Sequence, residues 1–280
     1  MSANKNTADF FPQKSDLACE RHRTSSCKHG VLYREATWGE IRFSALLLEE
    51  GEEDMPRGRY LSLHFPPPAL WTEKTEKELT AALAAAILFF SPPTERILVV
   101  GLGNRRLTAD AYGPLASDGI YATAALPDVA ARLGLLSPVR TAVFVPDVFA
   151  RTGIESVRSV ESAAALSRAG AVLALDALAA TAQERLLCVL ELTDTGTVPG
   201  GGVKRGKHAL SEATLGIPVT SIGLPTVVRT DAEHFLIPRD LEEGVAALAA
   251  LTAKAVNLAF GGSAPDFPVS FEHLFSKEEP

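Results

Sequence analysis

The sequence is poor in several residue types, and each shortage excludes a class of protein. Three cysteines, Cys19, Cys27 and Cys188, are too few for a disulfide framework, which agrees with a reducing compartment. With 21 Gly and 18 Pro among 280 residues, the chain is neither fibrous nor of low complexity. Cations are also in the minority, since 27 Lys and Arg face 34 Asp and Glu. The resulting net charge of −7 argues against direct binding of DNA or RNA.

Long apolar runs are lacking as well. The longest charge-free apolar stretch, residues 79–93, is shorter than the roughly 20 residues that cross a bilayer. Residues 1–14 have no apolar core of the length that a signal peptide needs. We therefore expect no membrane span and a cytoplasmic location. What the sequence does contain is 46% hydrophobic and 22% charged residues, a composition that forms a globular core.

Short apolar runs alternate with helical segments in the middle of the chain. Strands are predicted at residues 96–100, 141–145, 171–175, 186–192 and 218–222. Such alternation is typical of parallel strands joined by right-handed crossover helices. It predicts an α/β fold, a three-layer sandwich with a mostly parallel sheet.

The helices between these strands carry recognisable end signals. Thr75 and Glu78 have the spacing of a capping box, which predicts a helix that begins there and ends near Phe90. Thr152 and Glu155 have the same spacing, and Gly170 occupies the C-cap position expected for the helix that follows them. A last helical segment is predicted to close at Phe260.

An arm that contains strands precedes this body. Residues 41–48 and 60–64 read as two strands of a possible hairpin. Further upstream, four residues of metal-ligating type lie close together, Cys19, His22, Cys27 and His29. Their spacings match none of the usual structural zinc patterns, so we expect a polar arm with no metal and no cofactor.

Two carboxylates follow predicted strands at the edge where parallel sheets place their functional crevice. Asp176 comes directly after the apolar run 171–175, and Asp110 lies between the strand 96–100 and a helix that Pro114 is expected to open. Asp110 could be only a turn or capping residue. Asp176 is harder to explain in that way, because a carboxylate at the end of a buried run is costly to desolvate unless it is paired or functional.

Other motifs give weaker signals. Gly101 and Gly103 begin a dinucleotide fingerprint whose third small residue is absent, so a tight turn explains them better. Asp194-Thr-Gly196 is the signature of all-β aspartic proteases, but here it stands alone in a βα pattern, which favours a turn. The loop from Gly200 through Gly202 to Lys207 is either a mobile surface loop or one that contacts a ligand.

Taken together, many motifs in order resemble the germination protease family of endospore-forming bacteria, over most of residues 15–230. The segments that carry the resemblance are Ser15-Asp-Leu-Ala18, Gly58-Arg-Tyr60, Val99-Val-Gly-Leu-Gly-Asn104, Thr108-Ala-Asp-Ala111, Gly113-Pro114, Thr152-Gly-Ile-Glu155, Leu175-Asp-Ala-Leu-Ala-Ala180, Glu184-Arg185, Thr193-Asp-Thr-Gly196, Pro199-Gly200, Gly202-Val203, Glu212-Ala-Thr-Leu-Gly-Ile-Pro-Val219 and Gly223-Leu-Pro-Thr-Val-Val228.

The resemblance implies an endopeptidase that degrades small acid-soluble spore proteins in the germinating spore, and so acts in the forespore or spore core. It implies a fold similar to hydrogenase-maturation proteases, a homotetramer, and a zymogen whose propeptide, residues 1–16, precedes a peptidase domain, residues 17–280. Cleavage is then expected between Asp16 and Leu17. The family's two essential aspartates fall on Asp110 and Asp176.

The resemblance also implies that six further residues surround this pair or belong to a substrate loop: Gly103, Asn104, Arg185, Asp194, Gly200 and Gly202. The chain departs from the family pattern at Arg229, where an Asp is typical, and in the order of its glycine loop. Two alternatives stay open, a metal-sensing maturation protease and a noncatalytic α/β binding module. A maturation protease would need a His near the two carboxylates, and the sequence offers no convincing one.

Overall fold

In the computed structural model, the residues described are 15–18, 20, 21, 30–51, 55–126, 139–199, 209–230, 234–262 and 265–277. Its strands are β1 (Val31–Trp38), β2 (Ile41–Leu48), β3 (Gly58–His64), β4 (Arg96–Gly101), β5 (Arg140–Phe144), β6 (Ala171–Ala180), β7 (Val189–Thr193), β8 (Val219–Arg229) and β9 (Phe235–Leu236). They join one sheet in the order β1-β2-β3-β7-β8-β6-β4-β5, with β9 paired to β8.

The sheet has a parallel half and an antiparallel half. Strands β5, β4, β6 and β8 run parallel to their neighbours in this half, as the alternation of strands and helices predicts. Strands β1, β2, β3 and β7 pair antiparallel, and β7 also pairs antiparallel with β8. The predicted hairpin of residues 41–48 and 60–64 is therefore confirmed as β2 and β3, which extend the same sheet.

The α/β class and the strands of the arm are confirmed, but the sheet is mixed where a mostly parallel one was expected. The difference lies at β7. Residues 181–188 connect β6 to β7 through one 3-10 turn, Gln183–Arg185. Parallel pairing needs a crossover of about a dozen residues or more, so this connection is too short and β7 runs in the opposite direction.

Helices cover both faces of the sheet and make three layers. They are α1 (Glu73–Phe90), α2 (Tyr112–Asp118), α3 (Phe149–Thr152), α4 (Ser156–Ser167), α5 (Glu212–Leu215), α6 (Leu241–Phe260) and α7 (Phe271–Phe275). On one face, α1, α2, α6 and α7 bury their apolar residues in the larger core. On the other face, α4 packs Val157 and Val160 against Leu98 and Val172.

The longest of these helices, α6, is long and apolar enough to cross a membrane, with a mean hydropathy of 1.3. In this structure 61% of this apolar stretch is buried inside the protein. Thr252 in its middle is fully buried and shares a hydrogen bond with Tyr112 of α2 at 2.9 Å. Helix α6 is therefore a core helix, and its end at Phe260 agrees with the prediction.

The predicted helix ends are displaced. The capping box of α1 uses Thr72 and Thr75, three residues before the predicted pair. Thr152 ends α3, and α4 begins after Glu155, whose side chain makes no cap hydrogen bond. Arg168, at φ 54°, takes the left-handed C-cap position that was assigned to Gly170. Pro114 is the third residue of α2 instead of the first.

Candidate active site

Asp176 lies where β6 extends past its neighbour β4. The last residue of β4, Gly101, pairs with Leu175, so Asp176 is the first residue of β6 beyond that end. The prediction ended this strand at Leu175, whereas the strand continues to Ala180. Asp176 therefore stands inside a central strand, with only 6% of its surface exposed.

Asp110 is held by a tight loop that follows β4. The backbone N–H of Asn104 donates to both the Oδ2 and the carbonyl oxygen of Asp110, at 2.9 Å each. Gly103 has φ +117°, and a Cβ there would lie 2.1 Å from the Asp110 carbonyl oxygen. Only glycine allows the loop to close this tightly. Gly103 and Asn104 thus act through their backbones.

A second glycine brings this loop onto β6. A Cβ on Gly113, in the first turn of α2, would lie 2.3 Å from the Leu175 carbonyl oxygen and 2.4 Å from that of Leu102. The helix therefore sits directly on the chain next to Asp176, and its preceding residues bring Asp110 to the same rim. The two predicted carboxylates share one site.

The electrostatics of the site keep one of the two groups protonated. Burial, and after it the negative charge of Asp110, raise the pKa of Asp176 to about 8. Hydrogen bonds from Thr197 Oγ1, at 3.2 Å from Oδ2, and from the Ala177 N–H oppose this rise. At neutral pH Asp176 is therefore a neutral acid beside a second carboxyl group, an arrangement suited to acid and base catalysis on one water molecule.

The segment around residues 16 and 17 is seated beside this pair. The Asp16 N–H donates to the Ala179 carbonyl oxygen, and the Ala179 N–H donates to Asp16 Oδ2, both at 2.8 Å. The charge of Asp16 also contributes to the raised pKa of Asp176. Leu17 is fully buried and packs with Ala180 and Val228.

Two other predicted residues take part in neighbouring networks. Asp194 accepts hydrogen bonds from the Arg59 backbone N–H at 2.8 Å and from Arg59 Nε at 2.7 Å. Buried Arg185 contacts His64 Nδ1 at 2.8 Å, and its Nε lies 4.0 Å from Glu20. Neither contact involves the carboxylate pair. Gly200 and Gly202 lie outside the described residues, as do Cys19, His22, Cys27 and His29.

Thr197 was missed by the sequence reasoning, although its hydroxyl binds Asp176 directly. It comes just after the Asp194-Thr-Gly196 turn, and its backbone pairs with Leu210 in an isolated bridge. The only sequence signal was its place next to that motif. Within the described ranges, no group of three or more His, Cys, Asp or Glu side chains is arranged to hold a metal ion.

Comparisons with known proteins bear on this site. The sequence model of the germination protease family matches residues 13–237. The germination protease of Clostridium perfringens strain SM101 is 32% identical over 231 residues, which cover 78% of this chain and 71% of that relative. Those of Priestia megaterium and Bacillus subtilis are 32% and 33% identical, covering 79% and 71% of this chain but 62% and 56% of the relatives.

Among solved structures, a NiFe hydrogenase maturation protease, HycI from Thermococcus kodakarensis KOD1, is similar to 61% of this chain and to 99% of its own chain. The TM-score is 0.38 and the sequence identity is 19%.

Proposed function

Because the chain belongs to the germination protease family and is an endopeptidase of spore germination, we propose that it hydrolyses small acid-soluble spore proteins with Asp110 and Asp176 as an aspartic-type pair. One observation carries this proposal: a buried carboxyl group with a pKa of about 8 stands beside a second carboxyl group at the carboxyl ends of parallel strands. Strongly shifted carboxyl groups with a charged partner cluster at functional sites.

In the proposed reaction Asp110 is the base and Asp176 is the acid. Asp110 accepts an N–H hydrogen bond, which stabilises a carboxylate, and takes a proton from the attacking water. Neutral Asp176 donates its proton to the carbonyl oxygen as the tetrahedral intermediate forms. When the C–N bond breaks, Asp110 returns its proton to the leaving nitrogen and Asp176 regains one from the intermediate. Both groups end in their starting states.

The first prediction tests this pair. Asp110→Asn and Asp176→Asn should each give a folded protein that no longer cuts purified small acid-soluble spore protein on a gel. Asp118→Asn is the matched control, because Asp118 is 57% exposed and is paired with Arg105 at the surface. Wild-type cleavage by either of the first two variants would overturn the assignment. A wild-type protein that does not cut the substrate would favour the noncatalytic alternative.

The same gel assay, repeated with a chelator, separates the two protease alternatives. A reaction run by two carboxyl groups should proceed unchanged after chelation. Loss of cleavage that a divalent metal restores would favour the metal-dependent maturation type.

We propose further that residues 1–16 are a propeptide and that residues 17–280 form the peptidase domain. The supporting observation is that described residues of the segment 15–18, 20 and 21 pack against the part of β6 that follows Asp176. Asp16 pairs with Ala179, three residues beyond Asp176 on the same strand. The amino side of the proposed cleavage point thus lies near enough for the charge of Asp16 to act on Asp176, which supports self-processing at this bond.

We also propose that the enzyme assembles as a homotetramer, acts in the forespore or spore core, and binds no nucleic acid directly. Family membership supports the first two points, and the net charge of −7 supports the third. An apolar strip at the surface, formed by Phe235, Leu236 and Ile237, is 49–60% exposed and is suited to an interface between copies. A substrate-contacting role for the loop with Gly200 and Gly202 stays a prediction.

A further inference from the structure

A β-bulge interrupts the pairing of β8 with β6 close to the carboxylate pair. Leu178 pairs with Pro225 and Ala179 pairs with Val227, so Thr226 has no partner residue on β6. A bulge of this kind turns the side chain of the extra residue in a direction that a regular ladder would not allow.

The re-aimed side chain reaches the loop that carries Asp110. Thr226 is 1% exposed, and its Oγ1 donates to the carbonyl oxygen of Ala109 at 2.6 Å. Ala109 directly precedes Asp110. Two hydrogen bonds, from the Asn104 N–H to Asp110 and from the Asp110 N–H to the Leu107 carbonyl oxygen, join the loop to itself, and the Leu102 N–H ties the start of the loop to the Leu175 carbonyl oxygen at 2.8 Å. The Thr226 bond joins it to β8, the strand paired with the one that carries Asp176.

We propose that Thr226 is a positioning residue for the reaction, which fixes Asp110 relative to Asp176 by tying the loop of one to the neighbouring strand of the other. This inference rests on the proposed function of the pair. A threonine suits the role because its hydroxyl does not titrate and its methyl group fills the buried space beside it. Reactions that depend on two groups acting on one water molecule are sensitive to displacements of about 1 Å.

The test compares three variants by steady-state cleavage of a small acid-soluble spore protein. Thr226→Val keeps the shape and removes the hydrogen bond, and it should lower kcat about ten- to a hundredfold with little change in KM. Thr226→Ser keeps the hydroxyl and should restore most of kcat. Thr220→Val is the matched control, since Thr220 lies on the same strand, is 2% exposed, and donates to the Phe90 carbonyl oxygen at 3.0 Å.

The control removes the same kind of bond from the other end of β8, so it should lose comparable stability and keep its kcat. Equal kcat values for Thr226→Val and Thr220→Val would overturn the inference, and so would a Thr226→Ser variant as slow as Thr226→Val. If Thr226→Val does not fold, Thr226→Ala makes the same comparison with less crowding. The proposed function fails separately, if Asp110→Asn and Asp176→Asn still cut.

Discussion

Asp176 occupies a position that disfavours the ionised form of its side chain. It is buried in a central strand, and two other carboxyl groups, those of Asp110 and Asp16, act on it across the site. An ordinary aspartate has a pKa near 4, so a value of about 8 means that the folded protein holds a proton which the unfolded chain releases. The folded state is therefore destabilised as the pH rises from about 4 to about 8.

The stability of Asp176→Asn should reveal this cost. Asparagine carries no charge at any pH, so the variant should not lose stability as the wild-type protein does. Its free energy of unfolding relative to that of the wild type should rise by roughly 1 kcal/mol for each pH unit between about 4 and 8. Urea denaturation at pH 5 and at pH 8 measures the difference. Asp118→Asn is the control, because Arg105 holds the pKa of Asp118 below its ordinary value and the variant should show no gain at pH 8. An equal effect of Asp176→Asn at both pH values would contradict the prediction.

Residue by residue, the sequence predicted the carboxylates of the site but not their partners. Asp110 and Asp176 could be found because an acidic side chain after an apolar run is unusual and strand ends meet at one rim. Threonines are common and give no such signal. Thr197 meets its partner across 21 positions of sequence and Thr226 across 117, so only the fold brings these contacts together.

At the scale of elements, the positions of the strands could be predicted from the sequence better than their lengths or directions. Predicted strands ended at Leu175 and Ile222 because the next residues, Asp176 and Gly223, interrupt the apolar pattern. Both interruptions lie inside longer strands, where they pair with each other. The acidic residue of the candidate site therefore hides the full length of its strand, since an acidic side chain after an apolar run looks like a strand end in the sequence.

Helix α1 offers a prediction at this scale. The Thr75 N–H donates to Thr72 Oγ1 at 3.1 Å, and Thr75 Oγ1 accepts from the Thr72 N–H at 3.4 Å. Thr72→Ala should lower the free energy of unfolding by about 1 kcal/mol, measured with urea, and leave kcat unchanged.

The matched control for the cap is Thr80→Ala within the same helix. Thr80 donates back to the Glu76 carbonyl oxygen, so alanine, a better helix former, should be neutral or slightly stabilising there. If Thr72→Ala were as harmless as Thr80→Ala, the observed capping box would contribute nothing to stability.

For the molecule as a whole, the N-terminal segment joins parts that are distant in sequence. Glu191 on β7 accepts the Ala18 N–H with both carboxylate oxygens, at 2.9 and 3.1 Å. Glu20 accepts hydrogen bonds from the backbone N–H and the hydroxyl of Thr181, just past the end of β6. Leu17 packs in a small hydrophobic cluster that is separate from the main core. These contacts lie on the carboxyl side of the proposed cleavage point, so Leu17, Ala18 and Glu20 should stay in place after the chain is cut.

Sequencing of the amino terminus tests that arrangement. Protein that has processed itself should begin at Leu17, while the Asp176→Asn variant prepared in the same way should keep residues 1–16. A wild-type protein that still begins at Met1 or Ser2 would argue against processing, and a variant that is cut equally well would assign the cut to another protease.

The bulge at Thr226 also decides which of two valines faces the N-terminal segment. Because side chains alternate along a strand, one extra residue reverses the face of every residue after it. With the bulge, Val228 points into the cluster that holds Leu17. A regular ladder that kept Thr226 would pair Val227 with Ala180 instead, whereas deletion of Thr226 would leave Val227 opposite Ala179 and Val228 opposite Ala180, as they are with the bulge. Loss of Thr226 should therefore disturb the Asp110 loop, which loses its hydrogen bond to β8, and leave Val228 in place beside Leu17 at the proposed propeptide junction.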